Sequence, residues 1–395
     1  MRGFDRGLFV LALVLGAFDG ADLASMGLAL SRISRELSLS PSQAGWCASA
    51  SLVGLMSGAI VGGRLGDWYG RRSVLSVATA FLGIFSTATT FAHGYYALLV
   101  VRGLAGLGMG GLFPVLIAAC HDGAAARYRA TAVGLLTASS SVGAIALGFV
   151  AMVADWRWVF YVGGLGPLLV LPYILWAPRA SDPASPTSKA THASIRSALF
   201  GQGRGYGTVC VWVICFCTSL AVYCMLNWLP AVLVRQGFTE NQSHLGSVLF
   251  SLGGLCGTPA AGRLVDRGLA SQTYATGYGG AALALLGLGL MPTSVWVYAV
   301  VFLMAFLTLG AQLVTFSLTP GFYPDAVRNT GVGAMVTSGR LGSITGPLIA
   351  GQLLHSGLSV RWVFIALAPG LLLACVFALL FLGARRRVEV DGLCL

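Results

Sequence analysis

Along this chain apolar residues gather into long, nearly uninterrupted blocks separated by short polar turns. A helix needs about 20 mostly apolar residues to cross a bilayer. Twelve blocks reach that scale: 8–30, 43–63, 73–92, 95–120, 130–153, 158–177, 206–229, 244–265, 272–291, 295–319, 330–354 and 362–383. One connection is long. Residues 178–204 hold Pro178, Pro183 and Pro186 among many Ser and Thr residues, a polar, turn-rich segment that reads as a linker. The pattern predicts an all-α membrane protein of twelve transmembrane helices, with a six-helix bundle over 1–177, a cytoplasmic linker over 178–205 and a second bundle over 206–395. The first block is too long for a signal-peptide core, lacks a small-residue cleavage site and carries two aspartates, so it reads as a retained helix.

Composition removes the soluble alternatives. Of 395 residues, 56% are hydrophobic and 9% charged, against roughly 25% charged in soluble domains. The net charge of +11 invites a nucleic-acid reading, but 24 basic and 13 acidic residues in 395 are too few for a basic face. The basic residues record topology instead. With the N-terminus inside, 17 fall on the cytoplasmic side, 5 (Arg32, Arg35, Arg157, Arg235 and Arg361) outside, and 2 (Arg102 and Arg340) within blocks. That bias places both termini in the cytoplasm. The nine cysteines lie almost entirely in apolar blocks, none at metal-ligand spacing from a histidine. They read as small core residues, and neither a metal nor a cofactor is expected.

The second half repeats the first in the same orientation. Gly63-Arg64-Leu65 with Asp67 returns as Gly262-Arg263-Leu264 with Asp266, and Arg129, Thr131, Val133 and Gly134 return as Arg328, Thr330, Val332 and Gly333, both 199 residues on. Arg157-Trp158-Val159-Phe160 returns as Arg361-Trp362-Val363-Phe364 after 204 residues. Six helices per repeat preserve orientation, so the halves are parallel repeats, an arrangement that places a binding site near the bilayer midplane.

This architecture resembles the major facilitator superfamily. Gly63 to Arg72 is similar to that family's G-x-x-x-D-R-x-G-R-R loop, with Trp68 where a basic residue is usual, and Arg102, Gly106 and Gly110 are similar to its R-x-x-x-G-x-x-x-G pattern. Three runs narrow the resemblance to the aromatic acid:H+ symporters. Phe18-Asp19-Gly20-Ala21-Asp22 resembles their D-G-x-D, and Asn227-Trp228-Leu229-Pro230 their motif in helix 7. Tyr323-Pro324, Arg328, Thr330 to Gly333, Gly339 to Ser343 and Gly346-Pro347 resemble their helix 11 run. The resemblance implies a monomeric bacterial inner-membrane transporter, not an enzyme, that imports a phenylpropionate- or benzoate-like carboxylate with protons by rocking two halves. The lipid bilayer, the substrate and protons are its partners.

Clear of the block ends, four formal charges lie within the blocks: Asp19, Asp22, Arg102 and Arg340. A charge at mid-bilayer costs about 2.5–3.5 kcal/mol or more, so each is a functional candidate. Asp19 and Asp22 share one helix face. Two poorly solvated carboxylates resist ionising together, so the pair can load and release a proton as a unit. The alternative is that one of them pairs with Arg102 or Arg340 and never titrates. Arg340 offers a planar fork to a carboxylate, and its repeat counterpart is Ser141. It binds the substrate or pairs with Asp19 or Asp22. The family pattern implies a part in proton coupling for Arg102; the alternatives are an anchoring salt bridge or a snorkelling group. Phe113, Tyr223, Asn227, Trp228 and Gln312 lie on helices that line the cavity in this family's fold, where they would hold the ring and its hydroxyls, or else they face lipid or core.

Asp67, Arg71 and Arg72, joined by Asp122 and Arg129, suit a cytoplasmic ion-pair network that closes the inner side; a plain positive-inside loop explains the arginines but not Asp67. Gly106-x-Gly108-x-x-Gly111 matches a dinucleotide fingerprint but sits inside an apolar block with no preceding strand. Close helix packing explains it better. No nucleophile triad, metal cluster or phosphate loop appears. Helix 5 lacks the Gly-Pro bend typical of exporters in the family, which argues for import. The rivals are a carrier of another organic anion or a sugar, an exporter, and a non-transporting membrane sensor.

Overall fold

The computed structural model describes residues 6–69, 71–123, 129–176, 199–201, 203–324 and 327–393. Long helices fill these ranges. They are α1 (Arg6–Glu36), α2 (Pro41–Tyr69), α3 (Arg71–Ala88), α4 (Tyr95–Gly123), α5 (Arg129–Val153) and α6 (Trp156–Trp176). The second series is α7 (Gly205–Arg235), α8 (Glu240–Asp266), α9, α10 (Trp296–Phe322), α11 (Arg328–His355) and α12 (Arg361–Leu393). The ninth helix runs through Ala270–Tyr274, a π turn over Ala275–Gly279 and Gly280–Leu290. Among the described residues, 10 helices are long and apolar enough to cross a membrane. The expected spans in the ninth and eleventh positions are helical but fall outside that set. The π turn breaks the ninth, and α11 carries Arg328, Asn329, Arg340 and many Gly, Ser and Thr residues.

Most expected blocks stop short of the helices that contain them. The apolar run of the first ends near 30, whereas α1 continues to Glu36 and carries Arg32, Arg35 and Glu36 on its last turns. Hydrogen bonding, not hydropathy, sets these ends. Gly237, at φ 104°, follows α7 in the left-handed conformation that ends helices. Thr239 and Gln242 then form a reciprocal capping box, with backbone-to-side-chain distances of 2.9 and 3.3 Å, that starts α8. Ser40 and Gln43 form the same box, at 2.9 and 3.2 Å, before α2. The two boxes are 199 residues apart (239 − 40 and 242 − 43).

Glycine decides which helices touch. In the first repeat a side chain at Gly54 or Gly58 of α2 would overlap the carbonyls of Gly103 and Leu107 on α4, and one at Gly143 of α5 would overlap the carbonyl of Ala17 on α1. In the second, Gly253 and Gly257 of α8 lie against the carbonyls of Phe302 and Phe306 on α10, and Gly342 of α11 against that of Phe216 on α7. Every one of these pairs recurs 199 residues on. The repeat is therefore a repeat of backbone contacts, built from small residues because lipid supplies no hydrophobic drive between helices. Gly106 belongs to the same α2–α4 seam, against the carbonyl of Ser51, and Gly108 lies against the carbonyl of Ala78 on α3, which supports the packing reading of that glycine run. Replacing Gly143 or Gly342 by Val is expected to eliminate folded protein, read as loss of the monodisperse peak of a fluorescent fusion in detergent. The matching change at Gly134, where a side chain would meet open space, should be tolerated.

Contacts divide the chain into two compact units, Met1–Pro186 with Leu226–Ser251, and Thr187–Met225 with Leu252–Leu395. The division expected from the repeat, at 178–205, differs from this one in the segment Leu226–Ser251. Within the first unit, Leu11, Leu15, Leu55, Leu82, Met109, Leu112 and Leu136 form one apolar core. A second core gathers Ala21, Ala24, Leu28, Ala144, Leu147, Ala151 and Val159, with Leu226 packed on it.

Candidate functional site

The first unit holds a buried ionic cluster. Asp22 is wholly buried and Arg102 is 1% exposed. The α1 and α4 backbones hold them face to face, so that Arg102 Nη1 donates to Asp22 Oδ1 at 3.2 Å and Nη2 to Oδ2 at 3.1 Å. This is the end-on, two-bond geometry that suits a guanidinium and a carboxylate. The cluster extends further. Ser86 Oγ of α3 donates to Asp22 Oδ1 at 2.6 Å, Arg102 Nε donates to Ser51 Oγ of α2 at 3.0 Å, and the Phe160 ring of α6 lies 5.3 Å from the guanidinium carbon. Asp19 is also buried, one turn earlier on α1. Of the two roles open to the aspartates, the ion pair with Arg102 falls to Asp22.

The second repeat lacks such a cluster at the matching positions. The positions 199 residues after Asp22, Ser51, Ser86 and Arg102 are Ala221, Phe250, Leu285 and Val301, all buried and all apolar. The same helix packing is thus achieved once with a desolvated ion pair and once without. Apolar replacement of a buried ion pair is commonly neutral or stabilising, so the polar version is retained in the first repeat for another reason.

In the second unit, Arg340 is half-buried on α11, and its Nη1 donates to the Tyr223 hydroxyl of α7 at 3.3 Å. Glycine sets this approach as well. Gly339, Gly342 and Gly346 carry α11 against Ser219, Phe216 and Leu220 of α7. About two turns earlier on α11, Gly331 lies bare beneath the ring of Tyr323, whose hydroxyl meets Thr208 Oγ1 at 2.9 Å. The Tyr-Pro and Gly runs of this region are therefore packing residues that place Arg340. Gln312 is half-buried on α10. Asn227 and Trp228, at 3% and 2% exposure, are buried on α7, with Asn227 four residues beyond Tyr223 on the same face.

Arg72 lies on α3, where its Nε donates to the Ile174 carbonyl at 3.0 Å and its Nη2 to that of Leu175. It satisfies the last carbonyls of α6, a capping role absent from the sequence reading. The side chains of Phe113, Asp67, Arg71, Asp122 and Arg129 lie outside the described ones. Sequence reasoning missed Ser51, Ser86 and Phe160. Comparing the repeats position by position would have flagged the serines, since their counterparts are Phe250 and Leu285. It also missed the charges where α1 ends. There Arg32 Nε and Arg35 Nη2 both meet Glu240 of α8, the former at 2.5 Å, while Glu36 accepts from Trp156 Nε1 at 2.8 Å and from Arg157.

Comparison with known proteins places this chain among carriers. A family model described as the Major Facilitator Superfamily matches residues 12–321 and 236–392. The chain is 36% identical over 385 residues to the 3-(3-hydroxy-phenyl)propionate transporter of Escherichia coli, covering 96% of this chain and 94% of that protein. It is 29% identical to the gallate transporter of Pseudomonas putida, covering 90% and 87%. Two solved structures share the fold. One is a bacterial homolog of the human lysosomal transporter Spinster, with TM-score 0.78, 15% identity and coverage of 98% and 99%. The other is the xylose transporter XylE from E. coli, with TM-score 0.75, 18% identity and coverage of 94% and 95%.

Proposed function

The chain belongs to the major facilitator superfamily, and from that premise we propose that it imports an aromatic carboxylate together with a proton by alternating access. The observation that carries the coupling is the Asp22–Arg102 cluster, buried in one repeat and replaced by apolar residues in the other. The aromatic acids named for its relatives supply the substrate class. In this reading Arg340, assisted by the Tyr223 hydroxyl, receives the carboxylate. Asn227, Trp228, Phe113 and Gln312 are the candidates for contact with the ring and its substituents. Arg102 balances the charge of Asp22, and Ser86 and Ser51 hold the pair in register. Asp19 carries the proton, loading it from outside and releasing it inside. Asp67, Arg71, Asp122 and Arg129 close the cytoplasmic side, with Arg72 tying α3 to α6 beside them. Both termini are cytoplasmic, as the distribution of basic residues supports.

One proton per carboxylate makes the transported pair electroneutral. Uptake of labelled 3-(3-hydroxyphenyl)propionate into proteoliposomes should then follow an imposed pH gradient, collapse with a protonophore, and ignore a potassium diffusion potential applied alone. Accumulation that survives the protonophore would refute symport. Asp19→Asn should lose gradient-driven accumulation yet keep substrate exchange at half or more of the wild-type rate. Full accumulation by that variant would remove Asp19 from the coupling step.

A further inference from the structure

We infer that Arg32 and Arg35 on α1 and Glu240 on α8 form an ionic latch that biases the outer mouth of this transporter toward closure and breaks whenever that mouth opens. The inference rests on the proposed orientation and on alternating access. It does not depend on the substrate or on the coupling ion.

The geometry is specific. Arg32 Nε meets one oxygen of Glu240 at 2.5 Å, and Arg35 Nη2 takes the other. The arginines are one helical turn apart and face the same way, so one carboxylate is shared by two cations. Arg32 is also anchored behind. Its Nη1 donates to the Ala154 carbonyl just past the end of α5 at 3.0 Å and lies 3.9 Å from Asp155, where the negative end of the helix dipole favours a cation. Arg32 therefore stays with α1 and α5. Glu240 is the first residue of α8, fixed there by the Thr239–Gln242 capping box, and a carboxylate is favoured at that end of a helix. Each side of the latch is held by its own helices, and only the bond between them is free to break.

The latch caps a packed seam. Beside it, Gly27 of α1 leaves no room for a side chain against the carbonyl of Leu226, and Gly148 of α5 lies against the side chain of Val248. Leu226 itself packs on the alanine-rich core of α1 and α5. Leu226–Ser251 belongs by sequence to the second repeat but packs within the first unit, so this is the segment that has to leave when the outer side opens. Glu36 and Arg157 offer a contrast. They join α1 to α6 inside a single repeat, where opening demands no separation.

Arg32 and Glu240 are 26% and 27% exposed, and Arg35 is 67% exposed. Ion pairs this exposed are individually weak and sensitive to salt, as suits a contact that breaks in every cycle. The latch is a bias on an equilibrium, not a lock, and its loss should shift the open population by roughly three- to tenfold.

Hydrogen–deuterium exchange of the substrate-free full chain tests this. Glu240→Gln should speed exchange of peptides covering Leu226–Ser251 and the last turns of α1 roughly three- to tenfold, leaving α2 and α4 unchanged. Glu36→Gln should not do so. Raising NaCl to about 1 M, where the screening length is roughly 3 Å, should move the wild type toward the Glu240→Gln pattern and leave that variant unmoved. Unchanged exchange in Glu240→Gln overturns the latch, and so does an equal rise in Glu36→Gln, which would mark general loosening of that end. Should Glu240→Gln fail to fold, the salt response of the wild type decides alone: no selective acceleration at Leu226–Ser251 refutes the proposal. No transport is measured, so failure here is separate from failure of the proposed symport.

Discussion

Replacing Asp22 by Ala, Ser86 by Leu and Arg102 by Val together should give a protein that folds as well as the wild type and cannot accumulate substrate against a pH gradient. The three replacements copy Ala221, Leu285 and Val301, the buried residues 199 positions further on. Leu at 86 returns much of the volume lost at 102. Removing the whole ion pair also removes its desolvation penalty, which is why such exchanges are often neutral or stabilising. Arg102→Val alone leaves the Asp22 carboxylate buried without its partner, and breaking a buried pair in this way costs about 3–5 kcal/mol. The single variant should therefore show a lower unfolding temperature and poor yield, and the triple variant should recover both. Scanning fluorimetry in detergent and uptake into proteoliposomes make the comparison. A triple variant that unfolds as early as the single one would mean that the cluster is structural and that the repeats are not interchangeable here.

Arg340→Gln should weaken binding of the aromatic carboxylate by roughly 10- to 100-fold, the size of one charge-assisted hydrogen-bonding group. Arg340→Lys should fall between, because it keeps the charge and loses the planar fork. Tyr223→Phe should cost only about fivefold, as expected for one neutral hydrogen bond, since it removes the 3.3 Å contact that steadies the guanidinium. Equilibrium binding to the purified protein measures all three, and an uncharged amide analogue of the substrate supplies the decisive control. If Arg340→Gln weakens the amide as much as the acid, Arg340 does not act on the carboxylate and its role is to hold α11 in place.

The two variants differ in what the sequence made visible. Arg340 stood out because a lone charge in an apolar block has no local explanation, and its counterpart Ser141 is uncharged. Asp22 and Arg102 stood out for the same reason, but their pairing did not. Asp19 was an equal claimant to the same arginine, and nothing in the spacing separated them. The outer arginines were read only as the minority count in a topology rule. Three of the five, Arg32, Arg35 and Arg157, proved to be paired with Glu240 and Glu36. Arg72 looked like one member of a cytoplasmic charge cluster, yet its described bonds go to the end of α6. Trp228 and Asn227 read as cavity residues, and both are buried on α7.

What the sequence determined by itself is the set of properties that are local or periodic. These are the apolar blocks, the polar turns between them and the 199-residue repeat. Each depends on residues within a few turns of one another, or on a pattern copied along the chain. Tertiary structure alone decided the pairings: Asp22 with Arg102 and Ser86, Arg340 with Tyr223, Arg32 with Glu240, at separations of 64 to 208 residues. A hydrogen bond needs its partners placed to a few tenths of an ångström. That placement is fixed by how closely two backbones approach at a glycine seam, which no property of either helix read alone contains.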